Sequence, residues 1–163
     1  ILNSAGIERF PQYHFDMVRL GIGLHGISAT HANLQPVSSF KTYISSIRKV
    51  PEGQSIGYGR KSYTTRPSRI AVIPVGYADG LNRHLSNRVG NVFIKGKRVP
   101  IIGNICMDTC MIDVTDTNAA IGDEVEIFGK HILVSELSEQ LGTIPYEILT
   151  GISHRVKRVY YKE

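Results

Sequence analysis

Residues 92–99 read Val-Phe-Ile-Lys-Gly-Lys-Arg-Val, two short strand-like runs separated by Lys95 and Gly96. A two-residue connection of this kind favours a β-hairpin, because glycine readily adopts the positive φ that the tight turn needs. We therefore predict a hairpin here and expect β-strands to dominate the surrounding chain.

Short runs rich in β-branched residues continue on both sides of this hairpin, with glycine and proline between them. Repeated short strands with turn signals are typical of a β-barrel or β-sandwich. The predicted strands cover residues 40–50, 69–75, 91–94, 98–102, 111–114, 123–128 and 155–160. The sequence therefore predicts a mainly β fold.

One or two short helices are predicted within this β pattern. Ser135 suits the N-cap of the first helix, and Gly142 suits its C-terminal end. A second short helix is predicted to begin near Pro145, because proline is well tolerated at a first helical position. Both helices lie after the last of the closely spaced strands.

The first 33 residues differ from the rest of the chain. Residues 15–26 form an apolar run with one arginine, which we interpret as a buried strand leading into a loop. Residues 1–33 hold too little apolar surface for a domain, and Ile1 begins in the middle of a pattern, so we expect more protein upstream. We predict a boundary between residues 1–33 and a β domain at 34–163.

Bulk composition excludes several classes of protein. With 42% hydrophobic and 20% charged residues, the chain is expected to fold around a core. The net charge of +5 is scattered, which favours a solvated surface over a nucleic-acid site. No apolar stretch approaches the roughly 18 residues of a membrane helix, so we expect a cytoplasmic protein without a membrane partner.

Cys106 and Cys110 fit neither a redox motif nor a zinc site, and we expect no metal.

Three loop-like clusters carry residues suited to chemistry. They are Ile-Gly-Tyr-Gly-Arg at 56–60, Pro-Val-Gly-Tyr-Ala-Asp-Gly at 74–80 and Gly-Asn-Ile-Cys-Met-Asp at 103–108. Glycines beside a tyrosine let the backbone turn sharply and leave the phenol uncovered. The spacing alone favours a simple turn with a tyrosine at its edge, so it does not identify an enzyme.

The order of the motifs along the chain adds a second kind of information. The series is Asn-Ser-Ala-Gly at 3–6, Phe-Asp-Met-Val-Arg-Leu-Gly-Ile at 15–22, Gly-Tyr-Gly at 57–59, Gly-Tyr-Ala-Asp-Gly at 76–80, Cys-Met-Asp at 106–108 and Tyr-Glu at 146–147. This series resembles the alanine racemase family along essentially the whole chain. The resemblance implies a TIM barrel carrying pyridoxal phosphate, then a C-terminal β-barrel-like domain, in a homodimer. Residues 1–33 would be the last elements of that truncated TIM barrel.

The resemblance also implies an activity, the interconversion of L-alanine and D-alanine for peptidoglycan synthesis. Racemisation removes a proton from one face of Cα and returns one to the other, so two bases are needed. Tyr58 matches one base, and the other is the lysine that holds the cofactor, which we expect upstream. An unperturbed phenol has a pKa of about 10, so its phenolate would need nearby cationic donors. We expect these 163 residues alone to be inactive.

The resemblance further implies a cofactor site. The residues that match the phosphate cradle of the family are Ser4, Gly21, Ile22 and Tyr146. Arg19 matches the arginine facing the pyridine nitrogen, where a cation that keeps its proton leaves the ring neutral. The alternative for Arg19 is a buried ion pair with Asp16.

Four more residues match substrate-handling positions. Met107 corresponds to a residue whose backbone N–H binds the substrate carboxylate, and Tyr77 lies close by in the family. Core filling and a turn edge are their respective alternatives. Arg83 and Ile144 match the corridor that leads to the site, where a cation attracts an anionic amino acid. In the family, Tyr58 and Met107 act on the cofactor of the partner subunit.

Two other functions stay open on the sequence alone. The first is a related racemase for serine, lysine or several amino acids, since substrate side chains are selected by a pocket that we expect to lie mostly upstream. The second is a non-catalytic β-barrel binding module. A fusion of the full protein to another enzyme, such as a peptidoglycan ligase, is also open.

Overall fold

The computed structural model describes residues 1–30 and 33–161. Nine strands dominate it: β1 Phe40–Tyr43, β2 Ser46–Val50, β3 Ser55–Ile56, β4 Ser62–Tyr63, β5 Ser68–Ile73, β6 Asn91–Ile94, β7 Lys97–Ile102, β8 Cys110–Asp113 and β9 Glu124–Phe128. The α-helices are α1 Ser4–Arg9, α2 Val134–Leu141 and α3 Pro145–Thr150. The predicted mainly β fold with short helices is confirmed.

Seven of these strands form one antiparallel sheet in the order β1-β9-β6-β7-β8-β5-β2. Its two edge strands, β1 and β2, are consecutive in the chain and are separated by Ile44 and Ser45. The Ile44 N–H donates to the Asp123 carbonyl at 3.0 Å on one side, and the Ser45 N–H donates to the Val72 carbonyl at 2.9 Å on the other. The segment predicted as one strand at 40–50 is therefore bent, and it curls the sheet into a barrel-like shape.

The predicted hairpin is the connection between β6 and β7. Lys95 and Gly96 have φ values of 48° and 78°, so both central residues of the turn are left-handed. Val92 lies opposite Val99 and is fully buried. The two-residue turn and the alternation of buried side chains both specify the same pairing of β6 with β7, so the predicted hairpin is confirmed.

The core consists mainly of β-branched side chains from the inner face of this sheet. Its largest fully buried members include Ile44, Ile73, Ile94, Ile101, Ile112, Val92 and Val125. Burying each such side chain contributes about 1.5–3 kcal/mol. Burial also raises the pKa of Cys110 to about 12, helped by the neighbouring Cys106, and both cysteines are free thiols.

Two predicted strands are absent. Residues 15–26 form no strand, and Phe15 and Leu20 are 83% and 50% exposed, so the predicted buried strand is wrong. Residues 155–160 also form no strand. The physical reason is the same: strand backbone needs a neighbouring strand to satisfy its N–H and C=O groups, and no strand among the described residues pairs with either segment.

The helix ends show one confirmed prediction and one error. Helix α2 ends at Gly142 with φ 65°, and α3 begins at Pro145, both as predicted. The N-cap of α2 is Leu133 rather than Ser135, which lies inside the helix and accepts a hydrogen bond from the Ser138 hydroxyl through its carbonyl. Helix α1 was not predicted, although the Asn3 side chain caps it by accepting the Gly6 N–H at 3.0 Å.

The domain boundary at 33–34 stays a prediction, and residues 31, 32, 162 and 163 of the predicted ranges lie outside the described residues. Over the part of the chain that the structure describes, no helix combines the length and apolar character needed to cross a membrane.

Candidate active site

A cluster of amide and hydroxyl groups forms where α1, the segment after Leu20 and α3 meet. The Ser4 hydroxyl accepts the Gly21 N–H at 2.9 Å and the Gly23 N–H at 3.3 Å. The Tyr146 hydroxyl accepts the Ile22 N–H at 2.6 Å. The structure therefore brings together the four residues predicted for the phosphate cradle, and it adds Gly23. The Gly-x-Gly spacing of residues 21–23 is the sequence signal for this fifth member.

This cradle, defined by Ser4, Gly21, Ile22, Gly23 and Tyr146, has two properties of an anion site. A Cβ at Gly21 would lie 2.3 Å from the Tyr146 hydroxyl, so a larger residue there would displace the tyrosine. Among the described residues, neither the Ser4 nor the Tyr146 hydroxyl donates a hydrogen bond, so each O–H proton stays available for a ligand. Converging N–H and O–H donors bind phosphate groups well without a lysine.

Glu8 fixes α1, and with it Ser4, against the segment that follows the cradle. Its carboxylate accepts hydrogen bonds at 2.6 Å from the hydroxyls of Ser28 and Thr30, and it also accepts the N–H groups of Ala29 and Thr30. These bonds, led by the one from Ser28, lower the pKa of Glu8 and outweigh the opposing effect of burial. A negative charge therefore ties α1, which carries Ser4, to the backbone of residues 28–30.

Tyr58 lies in a short 3-10 turn, Tyr58–Arg60, between Gly57 and Gly59 with φ values of 73° and 78°. These left-handed conformations explain why glycine flanks the tyrosine. The side chain is 78% exposed, and the phenol has no hydrogen-bond partner within the described residues. The sharp turn presents the phenol to its surroundings, as the sequence indicates.

The Tyr58 turn is fixed by a chain of side-chain hydrogen bonds that the sequence did not suggest. Asn104 donates from Nδ2 to the Tyr58 carbonyl at 2.8 Å, and Asn104 Oδ1 accepts from Asn87 at 3.0 Å. Asn87 in turn accepts from the Ser62 hydroxyl at 2.8 Å. The backbone of Tyr58 is thus tied to the loop that also carries Met107.

The loops of Tyr77 and Met107 are in direct backbone contact. The Tyr77 N–H donates to the Cys106 carbonyl, and the Ala78 N–H donates to the Met107 carbonyl, both at 3.0 Å. A Cβ at Gly76 would lie 2.3 Å from both carbonyl oxygens, which explains the glycine. Met107 is 53% exposed, so it does not fill the core. Its own N–H has no acceptor within residues 1–30 and 33–161.

Arg155 joins these two loops through both of its ion pairs. Its Nε lies 2.7 Å from Asp79 and one terminal nitrogen lies 2.6 Å from Asp108. These two carboxylates, Asp79 first, raise the pKa of Arg155 above its already high usual value. The sequence did not predict this role, because the two partners of Arg155 lie 76 and 47 residues away in the chain. Residues 155–160 were predicted to form a strand instead.

The remaining predicted residues lie apart from these contacts. Arg83 begins a 3-10 turn after Asn82, and Ile144 is the N-cap of α3; both side chains are exposed. Arg19 is exposed too, its N–H donates to the Leu2 carbonyl at 2.7 Å, and no ion pair with Asp16 is found among the described residues. The same residues contain no cluster of His, Cys, Asp and Glu suited to a metal ion.

The fold and the site together define a mainly β domain in which a cluster of N–H and hydroxyl groups joins α3 to residues 4–23. Residues 37–160 match the sequence profile of the alanine racemase C-terminal domain. The chain belongs to the alanine racemase family.

Relatives and solved structures agree on this. The chain is 48% identical to "Alanine racemase 2" of Caldanaerobacter subterraneus subsp. tengcongensis, and this alignment covers 98% of the chain but 44% of that protein. It is 46% identical to the alanine racemase of Methanococcus maripaludis, over 97% of the chain and 45% of that protein. The alanine racemase of Bartonella henselae with covalently bound pyridoxal phosphate superposes with a TM-score of 0.92 at 38% identity, over 98% of this chain and 46% of that one. The biosynthetic alanine racemase of Pseudomonas aeruginosa gives 0.89 at 35% identity, over 99% and 47%. The chain thus spans less than half the length of these relatives.

Proposed function

We propose that this chain is part of an alanine racemase that interconverts L-alanine and D-alanine with pyridoxal phosphate, and that Tyr58 is one of its two bases. The observation that carries the proposal is the cradle, in which Ser4, Gly21, Ile22 and Tyr146 converge although they come from three separate segments. A β domain that serves only as a binding module would need neither this donor set nor an exposed, glycine-flanked tyrosine elsewhere on its surface.

The cradle residues would hold the phosphate of the cofactor. The hydroxyl protons of Ser4 and Tyr146, which no described residue accepts, would donate to the phosphate, while the three backbone N–H groups hold the two hydroxyl oxygens in place. Arg19 would face the pyridine nitrogen, where it keeps its own proton and so leaves the ring neutral. When bound, pyridoxal phosphate supplies the electron sink that stabilises the carbanion formed as the α-proton leaves.

The phenolic oxygen of Tyr58 would accept the α-proton on one face of the substrate in one direction of the reaction and return it in the other. The second base would be a lysine outside these residues. The phenol is exposed and unpartnered among the described residues, while its backbone is held by Asn104. This arrangement supports a homodimer in which the tyrosine completes the site of the partner subunit.

Met107 would bind the substrate carboxylate through its backbone N–H, which has no acceptor among the described residues. Tyr77 would lie beside it, since their loops are joined by hydrogen bonds. The exposed Arg83 and Ile144 would line the access corridor, where the arginine attracts the carboxylate of the incoming amino acid.

The product, D-alanine, would serve peptidoglycan synthesis. In this proposal the enzyme works in the cytoplasm, where the free thiols of Cys106 and Cys110 stay reduced. Alanine is favoured over serine or lysine as the substrate, because relatives 48% and 46% identical to this chain carry the name alanine racemase.

The test is racemisation by the full-length protein that contains this sequence, with L-alanine, L-serine and L-lysine compared at saturating cofactor. We expect bound cofactor and fastest turnover of alanine. Faster turnover of serine or lysine would overturn the substrate assignment, and no racemisation of any of the three would overturn the activity. The 163-residue chain assayed alone should be inactive; racemisation by it would contradict the need for an upstream lysine.

A further inference from the structure

Three separate segments meet at Arg155. Its guanidinium lies between Asp79, in the Tyr77 loop, and Asp108, directly after Met107. The other oxygen of Asp79 accepts the Gly76 N–H at 2.8 Å, and the Asp79 carbonyl accepts the Ser153 N–H at 3.1 Å. One carboxylate is therefore bonded both within its own loop and to the C-terminal segment.

Close packing accompanies these bonds. A Cβ at Gly80 would lie 2.6 Å from the Gly151 carbonyl oxygen, so the Tyr77 loop and the chain just before Arg155 are in backbone contact. The Asp79 side chain is only 13% exposed, whereas Arg155 and Asp108 are about half exposed. The buried partner anchors the arginine, and the arginine then reaches out to Asp108.

We propose that Arg155 is a positioning residue for substrate binding: it holds the Met107 loop against the Tyr77 loop, so that the Met107 N–H stays aimed at the substrate carboxylate. This inference rests on the proposed function. It concerns a residue to which neither the motifs nor the resemblance assigned a role.

The charge of Arg155 matters as well as its geometry. Asp108 is adjacent to Met107, so an uncompensated carboxylate there would repel the carboxylate of the substrate. Arg155 places one positive charge between two negative ones and reduces this repulsion. The fork of the guanidinium contacts both partners from fixed directions, which the point charge of a lysine cannot reproduce.

The role predicts a specific kinetic pattern. A backbone N–H that binds the carboxylate in the ground state and in the transition state contributes to KM and not to kcat. In the full-length holoenzyme, Arg155→Gln should therefore raise KM for L-alanine about tenfold and leave kcat within about twofold. The inhibition constant of propionate, which has the carboxylate but no amine, should rise by the same factor.

Three further variants separate positioning from general stability. Arg155→Lys should give a smaller rise in KM, because it keeps the charge but loses the fork. Arg155→Gln combined with Asp108→Asn should recover part of the loss, since no unpaired charge remains beside Met107. Arg66→Gln is the matched control: Arg66 is an exposed arginine paired with the exposed Asp116, and its loss should leave KM unchanged.

The inference is overturned if Arg155→Gln and Arg155→Lys both keep the wild-type KM and the wild-type inhibition by propionate, or if kcat falls while KM stays constant. Arg155→Lys also serves as the test if the glutamine variant does not fold. A wild-type enzyme that fails to racemise alanine would instead refute the proposed function, so the two failures are distinguishable.

Discussion

The cradle and the Tyr58 turn differ in how much of their surroundings this chain provides. In the cradle, the hydroxyls of Ser4 and Tyr146 accept N–H groups from residues 17 and 124 positions away, and Ser4 is 5% exposed. In the Tyr58 turn only the backbone is held, and the phenol is 78% exposed. The comparison teaches that this chain fixes the side chains of the proposed cofactor site, whereas it fixes only the backbone of the proposed catalytic tyrosine.

The largest expected effect would separate the two regions. In the full-length enzyme, Tyr58→Phe should lower kcat for L-alanine by about 10²–10⁴-fold, the usual contribution of a positioned acid or base. The affinity for pyridoxal phosphate should stay within about twofold, because no hydrogen bond among the described residues joins the cradle to Tyr58. Steady-state racemisation and cofactor titration of the apoenzyme measure the two quantities.

Tyr63→Phe is the matched control, since Tyr63 is also exposed and lies on β4, just after the Tyr58 turn. It should leave both quantities unchanged. A parallel loss of cofactor affinity in Tyr58→Phe would show that the two regions are not independent.

The second expected effect acts on the cradle alone. Gly21→Ala would place a methyl group 2.3 Å from the Tyr146 hydroxyl, so the tyrosine must move and its contact with Ile22 is lost. We expect the dissociation constant of pyridoxal phosphate to rise about tenfold or more, as for the loss of a charge-assisted hydrogen bond. The kcat of the cofactor-saturated enzyme should stay within about threefold.

The double variant Gly21→Ala with Tyr146→Phe tests the steric cause. Without the phenolic oxygen, the nearest remaining tyrosine atom is Cζ at 3.6 Å, an ordinary contact. The double variant should therefore bind the cofactor better than the product of the two single effects predicts. Strict additivity would mean that the clash does not explain the glycine.

The smallest expected effect concerns Glu8, which lies in the same helix as Ser4. The pKa of Glu8 is lower in the folded protein than its usual value. The ionised carboxylate therefore stabilises the fold at any pH above the usual pKa. This contribution is lost as the pH falls through the pKa of the folded state. Glu8→Gln should lower Tm by about 1–2 °C at pH 7, and the difference should shrink as the pH falls below the usual carboxyl pKa of 4.5. Calorimetry at several pH values, with the exposed Glu52→Gln as a control that stays at the wild-type Tm, makes the measurement. A difference that grows in acid would contradict the assignment.

The parts of the fold that sequence predicts are those fixed by local chemistry. Lys95 and Gly96 specify their turn without help from distant residues, and Gly142 and Pro145 specify helix ends in the same way. The bend at Ile44 was not predicted, because it depends on distant partners. Ile44 bonds to Asp123, just before β9, whereas Ser45 bonds to Val72 in β5. The buried strand predicted at residues 15–26 was wrong for a related reason. Apolar content predicts burial, but burial needs a partner surface.

The site was predictable to a different extent. Spacing alone favoured simple turns, and the cradle residues were assigned through the ordered series of motifs that the family shares. Asn104 lies in one of the three clusters but was assigned no role, and Arg155 was placed on a predicted strand. Their partners, Tyr58 and Asp79, lie 46 and 76 positions away, and a polar side chain with a distant partner leaves no periodic pattern in the sequence.

The bend at Ile44 has a further consequence, for self-association. An unpaired sheet edge is a template on which a second chain can add a strand. Here the two free edges belong to one bent segment, so each is only four or five residues long. A register shift next to Phe40 interrupts the first edge, and the exposed Arg48 and Lys49 place positive charges along the second. The sheet thus discourages strand-to-strand aggregation at the two places where such aggregation would begin.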